Sequence, residues 1–336
     1  MEPSPVLLEV RDLQVEFHTR EGSAKAVNGV SYTVAAGETL AVLGESGSGK
    51  SVTAQAVMGI LDSPPGRITG GEVLFRGQDL LRLKEEQRRR IRGAEMAMIF
   101  QDALSSLNPV LTVGAQLGEM FEVHRGMGRK QARAKSVELM DRVRIPAAKD
   151  RVNDYPHQFS GGMRQRIMIA MALALEPALI IADEPTTALD VTVQAQVMDL
   201  LAELRREFDM GLILITHDLG VVADVADRIA VMYAGRIVET APVHEIYKRP
   251  AHPYTRGLLD SIPRLDQKGH ELYAIKGLPP SLLHIPPGCA FHPRCPRARD
   301  VCRAEVPPLH AVTEEDGRAS GERRSACYFW KETLDG

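Results

Sequence analysis

Cysteine is nearly absent from this chain of 336 residues, and its four copies all fall between positions 289 and 327. The first 288 residues contain none, so no disulfide framework can hold the bulk of the fold. An excess of one charge is also missing: 41 Lys and Arg face 44 Asp and Glu, a formal net charge of -3. That balance gives no global attraction to nucleic acid or to an anionic membrane surface. The opening residues, MEPSPVLLEVRDLQVEF, lack the basic start and apolar run of a secretory signal. Long hydrophobic runs are absent too. The longest, IMIAMALALEPALIIA, is broken by Glu176 and Pro177 and falls short of the ~20 apolar residues that a membrane-spanning helix needs. The expected compartment is therefore the cytoplasm, where a cysteine cluster reads first as a metal site.

What the chain does contain begins with TLAVLGESGSGKSVTAQAVMGIL. An apolar strand, Leu40–Leu43, leads into Gly44-Glu45-Ser46-Gly47-Ser48-Gly49-Lys50-Ser51-Val52, and a helical pattern follows. This is G-x-x-x-x-G-K-S in its strand–loop–helix context. Glycines let backbone amides turn toward phosphate oxygens, and the helix N-terminus adds partial positive charge. Lys50 is placed to reach the β- and γ-phosphates, and the Ser51 hydroxyl to ligate Mg²⁺. A Gly/Ser loop that merely turns the chain would not require the flanking strand and helix.

A second buried strand, ALIIADEP, ends in two carboxylates. Asp183 suits Mg²⁺ coordination through water, and Glu184 suits polarising an attacking water. A third strand, GLILITHD, carries His217 beyond its C-terminal end, where it could sense a γ-phosphate. Between the phosphate motifs, Ser160 is a natural helix N-cap followed by Gly161 and Gly162. That second exposed helix start is surplus to one nucleotide, and it reads as a contact to a nucleotide held by another subunit.

Together these residues resemble the ATP-binding subunit of ABC transporters over nearly the whole chain. In order they are the Gly44–Ser51 loop, Gln101 in MIFQD, Ser160-Gly161-Gly162, Asp183-Glu184, Asp190 in TALD, and His217. The resemblance implies an α/β fold. Its parts would be a P-loop NTPase (RecA-like) core, an antiparallel β subdomain, an inserted helical subdomain at about 102–160, and a loop-rich C-terminal extension. The expected domains are 1–247 and 248–336. It further implies a head-to-tail dimer with ATP between the loop of one subunit and the signature of the other. Glu184 would be the base, His217 and Gln101 would position phosphate, water and metal, and Asp190 would couple the two sites. Phe17 would stack on adenine, although a core position is an open alternative. Phe159 and Met163 stand where the family has Leu and Gln.

The phrases AMIFQDALSSLNP, YPHQFSGGMRQR and RPAHPYTRGLLDSIP resemble the dipeptide and oligopeptide importers of bacteria. That resemblance implies two permease subunits, a related second ATPase chain in a heterodimer, and an extracytoplasmic peptide-binding protein. It places the chain, with no nucleic-acid partner, on the cytoplasmic face of the membrane. A nickel importer and a soluble ATPase acting on nucleic acid are the alternatives. Apolar residues over Gln101–Leu117 would line the permease groove, and EVHRGMGRKQARAKSVELMDRV reads as one amphipathic helix. Cys289, Cys295, Cys302 and Cys327 have the spacing C-x5-C-x6-C-x24-C. By resemblance they would ligate a [4Fe–4S] cluster, with Zn²⁺ as the alternative.

Overall fold

Strand formation follows the apolar runs. Met96–Ile99, Leu179–Asp183 and Gly211–Ile215 are buried at every position, as strands covered on both faces must be. They pair in parallel with Leu179–Asp183 in the middle, and the register sets Asp183 opposite Ile215. The computed structural model describes residues 5–187, 189–262, 275–313 and 319–335. It divides into two compact units: Met1–Leu7, Val34–Glu38 and Arg82–Ile215 form one, and Leu8–Thr33, Thr39–Leu81 and Thr216–Gly336 the other.

The first unit adds helices to its three strands. Helix Val113–Arg125 is capped by the Thr112 hydroxyl, which accepts from the Ala115 amide at 3.3 Å. It stops at Gly126, whose φ of 62° is a left-handed C-cap. A new helix, Arg129–Arg142, begins after Gly128. The single helix expected across this stretch is therefore two, because a glycine on either side of Met127 ends one and opens the next. The groove expectation also needs narrowing. Leu107, Val113 and Leu117 are core residues, whereas Phe100, Val110 and Leu111 are exposed. Buried Gln116 braces their loop, accepting from the Asn108 amide and donating to the carbonyls of Asn108 and Leu111.

In the second unit, Thr39–Leu43 pairs in parallel with Arg228–Tyr233. Arg236–Pro242 runs antiparallel on the far side of that strand. A separate four-stranded sheet has the order Gly22–Ala35, Val6–Thr19, Gly66–Phe75, Gln78–Asp79. The C-terminal extension is less loop-like than its composition suggests. Its strand Ala319–Ser325 pairs with Arg236–Pro242, and His310–Thr313 pairs in turn with Ala319–Ser325. A polar strand such as ASGERRS has no apolar alternation by which to be read in advance.

The extension also builds a core. Tyr233, Tyr254 and Phe291 are buried together with ring centroids 4.6 and 5.3 Å apart. Nearby, fully buried Glu239 accepts from the amides of Ala251 (2.7 Å) and His252 (2.9 Å), fixing the entry to helix Pro253–Asp260. Burial pushes the Glu239 carboxyl up to about 7. Among the described residues, no helix is long and apolar enough to cross a membrane.

Candidate functional site

The phosphate loop in the second unit is held where little room remains. A methyl group at Gly44 would lie 2.3 Å from the Met232 carbonyl oxygen, and one at Gly49 would lie 2.3 Å from that of Ala26. Gly49 has φ 102° and caps helix Lys50–Met58, so only glycine satisfies both the dihedral and the space. Lys50 is 5% exposed. Its Nζ donates to the carbonyl oxygens of Gly44 (2.8 Å) and Glu45 (3.0 Å), keeping the ammonium inside the loop. The Ser48 hydroxyl is buried and has no hydrogen-bond partner among the described residues. Such a group is costly unless something satisfies it, and a phosphate oxygen would do so. Ser46 and Gly47 are exposed at the tip, and Ser51 and Val52 are half-buried on the first helical turn. Phe17 lies opposite Gly66 across the strand pair and has intermediate exposure. His217 is exposed two residues beyond strand Gly211–Ile215.

The first unit carries the acidic set. Asp183, 6% exposed, ends its strand. Glu184 follows with φ 47°, a left-handed conformation unusual outside glycine and common where function imposes strain. Its amide donates to the Ile215 carbonyl at 2.8 Å. Gln101 Nε2 and Thr187 Oγ1 both donate to Glu184 Oε2, at 2.9 and 3.0 Å, so two donors orient one carboxylate oxygen. Gln101 is thus tied to the catalytic candidate from 83 positions away.

Ser160 caps helix Gly161–Leu173 as expected, accepting from the Met163 amide at 3.4 Å. The two departures from the family pattern share a neighbour. Arg151 lies over the buried Phe159 ring at 4.1 Å and donates to the Met163 sulfur at 3.4 Å. A β-carbon at Gly162 would come within 2.5 Å of Val193 Cγ1, so helix Val191–Phe208 approaches the signature closely. Asp190 caps that helix, accepting from the Val193 amide at 2.9 Å.

Comparison with known proteins draws these parts together. The ABC transporter family model matches residues 27–187, and the model for the C-terminal region of oligopeptide/dipeptide transporters matches 238–302. The oligopeptide transport ATP-binding protein OppD of Salmonella typhimurium is 53% identical, over 93% of this chain and 92% of the relative. The dipeptide transport ATP-binding protein DppD of Bacillus subtilis is 54% identical over 90% of each.

The chain belongs to the oligopeptide/dipeptide ABC ATP-binding subunits.

Among solved structures, the ATP-binding cassette MJ0796, captured as a post-hydrolysis dimer with ADP and Pi, matches with TM-score 0.64. It is 27% identical, over 70% of this chain and 99% of that one. The P-loop NTPase fold of an ABC cassette read from the motifs is thereby established. The family's C-terminal region also locates residues that motif reasoning left without a role. Tyr254 of the HPYT phrase donates nothing to ATP chemistry directly; its hydroxyl oxygen accepts from the amide of Glu45, inside the phosphate loop, at 2.8 Å.

Three of the four cysteines lie in this region and Cys327 lies beyond it, and all four line one small pocket, with Pro253, Phe291, Pro307 and Phe329 in its wall. None is disulfide-bonded. Burial, more than mutual repulsion, pushes the thiols of Cys289, Cys295 and Cys327 up, Cys289 to about 11 and Cys327 to about 12. Among the described residues, no three His, Cys, Asp or Glu side chains are arranged as ligands of a metal ion. The metal site expected from the spacing is therefore not established by the geometry, although the quartet does converge.

Proposed function

We propose that this chain is the ATP-hydrolysing subunit that powers uptake of dipeptides or oligopeptides through partner permeases. The observation that carries the reading is Glu184, strained at the end of an apolar strand and oriented by Gln101 and Thr187. Lys50 and the amides from Gly44 to Ser51 bind the phosphates, with Ser46, Gly47, Ser48, Gly49 and Val52 shaping the cradle. Ser51, Asp183 and Gln101 hold Mg²⁺. Glu184 takes a proton from the attacking water, and His217 hydrogen-bonds the γ-phosphate. Phe17 stacks on adenine. The Ser160-Gly161-Gly162 helix start and Asp190 act on the nucleotide of a second, related ATPase chain in a heterodimer. Exposed Phe100, Val110 and Leu111 meet the permease at the cytoplasmic face of the membrane.

The test is reconstitution of the chain with its partner ATPase and permease subunits in vesicles, together with the peptide-binding protein. Uptake of labelled peptide should require ATP and be lost when the chain is omitted. Uptake that proceeds without the chain, or ATP-driven uptake of nickel and not peptide, would refute the reading.

The four cysteines are read as ligands of a [4Fe–4S] cluster, supported by their convergence on one pocket with a largely apolar wall. Bound there, the cluster supplies a rigid cross-link, and it favours thiolates that burial otherwise resists. Protein purified without oxygen should hold iron and sulfide at about four each per chain. Cys289→Ser should lower both while the visible absorption fades. One zinc and no sulfide would replace this reading with a zinc knot.

A further inference from the structure

One ion pair links the two most distinctive parts of the chain. Arg294 donates from Nη1 to Glu45 Oε2 at 2.6 Å and from Nη2 to Glu45 Oε1 at 2.9 Å, a bidentate pair across 249 positions. Glu45 is the second residue of the phosphate loop, and Arg294 immediately precedes Cys295 in the extension. The Arg294 side chain is only 5% exposed. It is fixed by the carbonyl oxygens of Lys276 and Ile275, by the Tyr233 hydroxyl, and by the rings of Tyr233 and Phe291.

Glu45 is held at three points. Its carboxylate meets Arg294, its amide donates to the Tyr254 hydroxyl, and its carbonyl accepts from Lys50. Two of these three partners belong to the C-terminal extension. Without Arg294, a carboxylate would stand uncompensated in a loop whose task is to bind a polyanion. Opposite charge at hydrogen-bonding distance in a partly buried site is far less screened than in water.

We propose that Arg294 is a positioning residue for ATP binding: it neutralises Glu45 and, with Tyr254, fixes the phosphate loop in its binding-ready shape. The extension thereby becomes part of the nucleotide site, although its residues need not touch the nucleotide. Bidentate geometry explains the choice of arginine, because lysine supplies the charge without the fork.

Two effects are separable by experiment. Titration of the purified full-length chain with a fluorescent ATP analogue should show Arg294→Ala binding about tenfold more weakly, while turnover at saturating ATP stays within about twofold. Adding Glu45→Gln to that variant should restore affinity to within about threefold, since the uncompensated charge is gone. Arg294→Lys should fall between the extremes. Wild-type affinity in Arg294→Ala would overturn the proposal. So would a double variant no tighter than the single one, which would make the arm a purely structural brace. If Arg294→Ala fails to fold, as judged by circular dichroism, Arg294→Lys and Arg294→Gln decide: a graded loss of affinity, larger for Gln than for Lys, upholds the proposal, and unmodified affinity in both overturns it.

Discussion

Glu184→Gln lowers ATP turnover by at least about 100-fold while ATP affinity is retained. The magnitude follows from removal of a positioned general base, typically worth 10² to 10⁴ in rate. The geometry makes the substitution a clean probe. Gln101 and Thr187 both direct donors at Glu184 Oε2, and a glutamine oxygen can accept the same bonds. The left-handed backbone, fixed by the hydrogen bond from the Glu184 amide to the Ile215 carbonyl, is unaffected by exchange of an oxygen for an amide nitrogen. Only the ability to take a proton is lost. Phosphate release and nucleotide binding, measured on the same preparation, separate the two properties. Turnover within tenfold of the unmodified enzyme would remove Glu184 from the role of base.

Lys50→Ala produces the opposite split, with ATP binding itself reduced by about 30-fold or more. A charge-assisted hydrogen bond contributes about 1.5–3 kcal/mol, and every 1.4 kcal/mol is a tenfold change in affinity. Lys50 is buried, and its ammonium donates to the carbonyl oxygens of Gly44 and Glu45. These bonds keep the cation within the loop and ready to exchange partners. Alanine removes the loop's fixed positive charge and leaves the helix N-terminus and the amides as its attraction for phosphate. Isothermal titration with ATP measures the loss directly, and an unchanged dissociation constant would exclude Lys50 from phosphate binding.

Much of this chemistry was legible in the sequence because it is local. The loop Gly44–Ser51 lies between a buried strand and a helix, and Asp183-Glu184 ends an apolar run, so a few neighbouring residues define each. The glycines of the loop and the capping by Ser160 are likewise short-range matters, whereas the capping by Asp190 emerges only in the structure. The pair Arg294–Glu45 was not legible, since no spacing rule connects residues 249 positions apart. Tyr254 could be singled out as foreign to ATP chemistry, but its bond to the Glu45 amide depends on the tertiary packing of Tyr233 and Phe291. The two helices about Met127 were missed for another reason. Amphipathic periodicity continues through the break, while Gly126 and Gly128 stop it locally. In the extension, the polar strand Ala319–Ser325 is specified by its partners Arg236–Pro242 and His310–Thr313 and not by its own alternation.

The crowding around the phosphate loop constrains how this sequence can vary over time. At Gly44 and Gly49 the obstacle is a backbone oxygen 2.3 Å from any β-carbon, and backbone cannot be replaced by a compensating mutation. A β-carbon at Gly235, from a different strand connection, would meet the same Ala26 oxygen at 2.9 Å. Gly47 has φ 78° but open space around it, so Asn or Asp there is strained without colliding. A saturation library through the loop should therefore have two silent positions, where nothing but glycine survives, beside one that drifts among a few small polar residues. Three segments far apart in the chain are locked into one neutral network, and none of them can explore alternatives alone.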